Sequence, residues 1–190
     1  MSKLSPKLPL DGFSRKWGGL TLEEKHIGEG VSLAAALDQE EAFDVDFKKT
    51  FGTSPPPPSQ AKQIEGGWAA WLGASQYMIL LDGENSRADE EIAGQFGDCA
   101  YATLQTDGWA LLDFTGDRAI DVLERFISLD LRRAPKNFAA RTSAHHIAVI
   151  VIKFDDDKYQ LMTPRSSAQS FADSLAHVID NVVNFNQESS

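Results

Sequence analysis

Residues Arg141–Val183 run RTSAHHIAVIVIKFDDDKYQLMTPRSSAQSFADSLAHVIDNVV, and three structural signals follow one another within them. Ile147 to Lys153 is a β-branched run, Asp155-Asp156-Asp157 is a turn cluster, and Lys158 to Thr163 alternates polar and apolar side chains, which together predict a hairpin. Pro164 stops the second strand, and Ser166 or Ser167 can accept a hydrogen bond from the first free N–H groups of a helix. Ala168, Phe171, Leu175, Val178 and Val182 then recur every three or four residues, giving that helix one apolar face. The unit is strand, strand, helix.

The same order of signals occurs twice upstream. Gly67 to Leu72 and Tyr77 to Asp82 predict two strands joined through Gly73 to Gln76, with a helix over Ser86 to Phe96 that places Ala88, Ile92 and Phe96 on one side. Cys99 to Gln105 and Trp109 to Phe114 bracket a Thr106-Asp107-Gly108 turn, and a helix capped near Thr115 or Asp117 follows. Three such passages predict an α+β body of antiparallel or mixed sheets with helices on one face. The body is expected to span residues 61–190.

Residues 1–60 are expected as an extended N-terminal arm. Prolines extend LSPKLPLDGF, glycines bound GGLTLEEKHIGEG, and Pro55 to Pro58 form a stiff joint, with room for a short helix near Ser32 to Leu37. Leu10, Phe13, Trp17, Leu20 and Leu22 make this segment too apolar for a free linker. It therefore lies along a surface, its own body's or a partner's, and Trp17 is a candidate interface residue.

The chain carries 28 Asp+Glu against 18 Lys+Arg, for a formal net charge of -10, which opposes binding to nucleic acid or anionic membrane. One cysteine, Cys99, excludes an intrachain disulfide and a multi-cysteine metal site, and fits a reducing cytoplasm. No stretch approaches the roughly 18 apolar residues that predict a membrane span, and the opening lacks the apolar core of a secretory signal. Arg132, Arg133 and Lys136 form the one basic patch, either a solvated loop or a clasp for an acidic partner.

Groups for chemistry do not converge. Cys99 has Asp98 beside it, the wrong sign for stabilising a thiolate, and is expected at the core end of a strand. His145 and His146, placed on a strand, point to opposite faces and cannot chelate one metal together. Asp155 to Asp157 lack the alternating ligands and distal acid of a Ca²⁺ loop. No glycine-rich phosphate cradle and no Gly-x-Ser-x-Gly elbow occurs, so no catalytic, cofactor-binding or metal-binding residue is assigned.

Several segments, in order and spacing, resemble the gamma subunit of heterotetrameric sarcosine oxidases. They are Trp71-Leu72-Gly73 to Leu80-Leu81, Thr106-Asp107-Gly108-Trp109 with Thr115-Gly116, and Val122-Leu123 leading to Leu129-Asp130-Leu131. Arg141-Thr142 and Leu161-x-x-Pro164-Arg165-Ser166 followed by Ser170-Phe171 complete them. The resemblance implies a fold related to the folate-binding aminomethyltransferase of the glycine cleavage system. It also implies partners, the alpha, beta and delta subunits, with FAD, FMN, NAD and tetrahydrofolate held on those chains and no catalytic residue on this one. Catalytic aminomethyltransferases carry an Asp-x-Ser where this chain has Leu104-Gln105-Thr106, and a leucine cannot accept a proton or a hydrogen bond. Arg165, between a strand-ending proline and a helix start, is placed for a bidentate contact with a carboxylate of this chain or a partner. The alternatives are the equivalent subunit of a related N-methyl amino acid oxidase or dehydrogenase, and a free-standing folate-binding one-carbon transferase.

Overall fold

The computed structural model describes residues 7–83 and 87–187. In chain order the strands are β1 (Ser14–Trp17), β2 (Leu20–Lys25), β3 (Glu29–Ala35), β4 (Ala61–Ile64), β5 (Gly67–Gly73), β6 (Gln76–Leu81), β7 (Ala100–Leu104), β8 (Trp109–Thr115), β9 (Phe138–Ala144), β10 (Ile147–Asp155) and β11 (Lys158–Pro164). The helices are α1 (Glu40–Phe51), α2 (Ala88–Phe96), α3 (Ala119–Phe126) and α4 (Ala168–Gln187). All strand pairs are antiparallel, in a six-stranded sheet ordered β1-β2-β8-β11-β10-β9 and a five-stranded sheet ordered β4-β5-β6-β3-β7.

Alternation along β10 shows how the layers form. Val149 and Val151 join a core with α3 and α4, whereas Ile150 and Ile152 join a second core with Met78 and Leu80 of the other sheet. A strand buried on both faces is apolar throughout, which explains the unbroken Ile-Ala-Val-Ile-Val-Ile run. On the far side, Val31, Leu33 and Ile79 pack under α1 and α2. The layers are thus helix, sheet, sheet, helix, the α+β architecture expected. The sheets also touch along one edge, where Ala61 N–H donates to Asn137 O at 2.6 Å and Ala139 N–H to Ser59 O at 3.0 Å.

The hairpin of β10 and β11 and the long helix after it stand as expected, with a 3₁₀ turn at Arg165–Ser167 leading into α4. The expected start at Ser86 lies outside the described residues, and α2 begins at Ala88. Three expectations are corrected. β7 and β8 do not pair: the 3₁₀ turn Thr106–Gly108 carries the chain from one sheet to the other. Ser32 to Leu37 is not helical, because Val31, Leu33 and Ala35 alternate inward along β3, and the helix comes later as α1. His145 and His146 are not on a strand. They form the two-residue turn between β9 and β10 with φ of 47° and 70°, the primed turn that suits a right-handed hairpin twist. From Ser14 onward, the segment read as an arm supplies strands to both sheets, with β3 lying between β6 and β7.

Candidate functional site

The chain crosses between the sheets at His26–Gly28 and again at Thr106–Gly108, and the end of β11 lies beside both crossings. A cleft of about 110 Å³ opens there. Lys25, His26, Thr106, Asp107, Trp109 and Arg165 line it, closed on one side by Lys7 to Pro9.

Arg165 follows Pro164 at the end of β11 and opens the 3₁₀ turn before α4. Its Nη2 donates to Lys7 O at 2.8 Å, fastening the N-terminal segment, and its Nη1 lies 3.7 Å from Asp107 Oδ1. That second distance is an ion pair without a hydrogen bond, and Asp107 is 96% exposed, so solvent screens it. Among the described residues the remaining guanidinium donors have no hydrogen-bond partner and can meet a carboxylate. Lys25 is held by Glu23 at 2.7 Å, whose hydrogen bond raises the ammonium pKa. His26 Nδ1 accepts from Gly28 N–H at 2.9 Å, so its other ring nitrogen is the one that can face the cleft.

Leu104, Gln105 and Thr106, at the crossing between the sheets, are spent on structure. Leu104 closes β7, Gln105 Oε1 accepts from Trp109 Nε1–H at 3.2 Å, and Thr106 Oγ1 accepts from Gly30 N–H at 2.9 Å. The arrangement sets a guanidinium beside an apolar wall of Leu8, Pro9, Ile27, Trp109 and Leu111 and can hold a carboxylate there.

The other sequence candidates lie elsewhere. Trp17 is buried, its indole N–H donating to Asp180 Oδ1 of α4 at 2.6 Å while the Arg15 guanidinium stacks over the ring at 4.4 Å. Arg132 is gripped by both oxygens of Glu124, at 2.9 and 2.7 Å, and by Asp121 at 3.0 Å, which hold its guanidinium pKa above the usual value. Lys136 meets Asp155 at 2.6 Å, which raises the lysine pKa and lowers that of the carboxyl. Arg133, 3.6 Å from Asp130 and 90% exposed, is the cation of that loop most open to a partner. Trp17 and Arg132 line two separate cavities that share Asp117, and Arg165 lines a third.

Cys99 sits in a 3₁₀ turn just before β7, its thiol donating to Phe96 O at 2.9 Å. Burial first, then the nearby Asp46, pushes that thiol up, away from nucleophilic character. Among the described residues no group of three or more His, Cys, Asp or Glu side chains could hold a metal ion, and no helix is long and apolar enough to cross a membrane.

Two buried charges went unnoticed in the sequence. Lys153 is 2% exposed and donates to Leu131 O and Ala134 O, each at 2.9 Å. Glu24 is 5% exposed and accepts from Leu10 N–H and Gly12 N–H, each at 2.8 Å, tying the first turn to β2. Both were signalled by phase, Lys153 with Val149 and Val151, Glu24 with Leu20 and Leu22.

No protein-family model matches the chain, and no curated protein matches it in sequence. A chain of the heterotetrameric sarcosine oxidase from Corynebacterium sp. U-96, in complex with pyrrole 2-carboxylate, matches with a TM-score of 0.73 at 19% identity. The match covers 85% of this chain and 84% of that one. The glycine cleavage system aminomethyltransferase T from Bartonella henselae matches with a TM-score of 0.65 at 11% identity, over 90% of this chain and 56% of that one. The fold is the one these proteins share. At such identities the likeness establishes architecture, and this chain spans a little over half of the aminomethyltransferase.

Proposed function

We propose that the chain is a non-catalytic accessory subunit, of the gamma type, in a cytoplasmic flavin-dependent heterotetrameric sarcosine oxidase. Such a complex converts sarcosine to glycine and passes the methyl carbon to tetrahydrofolate. The observation that carries this reading is the match to a sarcosine oxidase chain with near-equal coverage in both directions, so the two chains are of similar length. The cleft agrees with it, since the acid of the catalytic aminomethyltransferases is replaced by Leu104 and its neighbours are bonded internally. In this reading FAD, FMN, NAD and tetrahydrofolate are held by other chains, the alpha subunit is the main partner, and beta and delta complete the assembly. The equivalent role in a related N-methyl amino acid oxidase or dehydrogenase follows from the same observations, because the substrate pocket lies on another chain.

An affinity tag on this chain, used in its own cell, is expected to bring down a large protein with flavin absorbance and sarcosine oxidation. A chain that purifies alone, or turns over a methylated amine by itself, sinks the reading. Arg165→Ala is expected to weaken assembly about tenfold, the loss of one charge-assisted contact, while the isolated fold keeps its melting temperature. Unchanged recovery of the flavoprotein counts against Arg165. The aminomethyltransferase match supports a second reading, a free-standing folate-binding transferase. Titration calorimetry with tetrahydrofolate tests it: no heat from the isolated chain removes it.

A further inference from the structure

We propose that a partner chain joins the five-stranded sheet as a sixth strand along the free edge of β7. This rests on the reading of the chain as a subunit. The register fixes which backbone groups face outward. Gln105 N–H donates to Gly30 O at 2.7 Å and Ala36 N–H to Cys99 O at 2.8 Å, so the mutually bonded pairs between β3 and β7 include Ser32 with Thr103 and Ala34 with Tyr101. Ala35 N–H instead reaches Ser75 O at 2.9 Å, towards β6, which confirms the phase. The N–H and C=O groups of Ala102 and Leu104 therefore point away from β3, and none has a hydrogen-bond partner among the described residues.

Sheet edges are normally blunted by charge, proline or cover. β1 is short, carries Arg15 and Lys16, and is held to α4 through Asp180. The starts of β4 and β9 are bonded to the residues that precede the other strand, Ala61 to Asn137 and Ala139 to Ser59. β7 carries no lysine, arginine or proline and α2 packs on one of its faces: it reads Ala-Tyr-Ala-Thr-Leu, with Tyr101 69% exposed and Thr103 exposed beside it on the other.

Charge selects the occupant. Between Arg87 and Arg118 the sequence holds no lysine or arginine, and Asp98 and Asp107 flank the strand, Asp107 screened by solvent from Arg165 at 3.7 Å and Asp98 without a basic residue nearby in sequence. A second copy paired antiparallel about Ala102 would bring Asp98 of each beside Thr106 and Asp107 of the other, setting like charges together. The fitting partner segment is extended, uncharged over about five residues, and flanked by Lys or Arg.

Amide hydrogen exchange, read residue by residue, tests the proposal on the isolated chain and on the flavin-containing complex recovered through a tag on this chain. In the isolated chain Ala102 and Leu104 amides exchange fast and Tyr101 and Thr103 slowly; in the complex Ala102 and Leu104 slow by about tenfold or more. Ala102→Pro removes an outward N–H without touching a bond to β3, and is expected to lower recovery of the flavoprotein about tenfold at unchanged melting temperature. Should that variant unfold, the exchange pattern still decides. A complex that forms without protecting these amides overturns the edge proposal and leaves the subunit reading standing. The absence of any flavoprotein complex removes both. Concentration-dependent protection in the isolated chain identifies a second copy and overturns the proposed occupant.

Discussion

Lys153 and Tyr159 stand opposite each other across β10 and β11, both buried, with opposite degrees of satisfaction. The ammonium donates to two loop carbonyls and lies 2.8 Å from Asp156, which is 84% exposed. Screening leaves the Asp156 pair worth little, so the carbonyl bonds dominate, and Lys153→Met is expected to cost about 2–4 kcal/mol in urea unfolding. A loss near zero would mean that the loop closes on its own. The Tyr159 hydroxyl is buried with no hydrogen-bond partner among the described residues, so Tyr159→Phe should leave stability unchanged or raise it by up to about 1 kcal/mol at neutral pH. Burial pushes the Tyr159 phenol up to about 12. An unfolded tyrosine titrates near 10, so the folded value is the raised one: the stabilisation is complete below about pH 10 and lost as pH climbs towards about 12. The drop amounts to about 2 kcal/mol, and unfolding midpoints of wild type and Tyr159→Phe compared at about pH 9 and pH 11.5 should diverge accordingly. Parallel curves would show that the hydroxyl ionises freely in the fold.

Among the elements, α1 was the hardest to see and holds one core together. Phe43, Phe47 and Phe51 recur every four residues and are all buried, Phe43 stacking on Tyr77 at 5.5 Å and lying 5.3 Å from Phe96. Phe47→Ala is expected to cost about 3–5 kcal/mol, seen as a lowered urea midpoint, because it empties the centre of this aromatic cluster. A cost below about 1 kcal/mol would show that the cluster collapses around the gap. The helical period was present in the sequence but framed by acidic residues and followed by Gly52 and four prolines, so the segment read as irregular. The final hairpin and helix were legible because alternation, turn and apolar stripe follow without interruption. The β7–β8 pair misled for a physical reason: alternation reports which face of a strand is buried, not which strand lies beside it. The histidine turn misled because a pair of left-handed residues without glycine carries little local signal. At the cleft, Arg165 could be located from its proline and helix start, whereas Lys7 and His26 reach it only through the crossings between sheets.

For the whole molecule the question is whether residues 61–190 form a body without what precedes them. β3 lies between β6 and β7, β2 lies between β1 and β8, and Val31, Leu33, Phe43, Phe47 and Phe51 belong to one buried cluster. Removing residues 1–60 would leave β6 and β7 unpaired on facing edges and uncover apolar surface on both sheets. A fragment of residues 61–190 is therefore expected to lack a cooperative thermal transition, to bind an apolar dye, and to lose the near-ultraviolet dichroism that the packed tryptophans give the full chain. Mixing it with a peptide of residues 1–60 should restore part of that signal, because β3 contributes hydrogen bonds to two neighbours and its apolar residues to one core. A sharp transition in the fragment alone would return the first sixty residues to the part of an arm, and would move the boundary of the folding unit from the start of β1 to the start of β4.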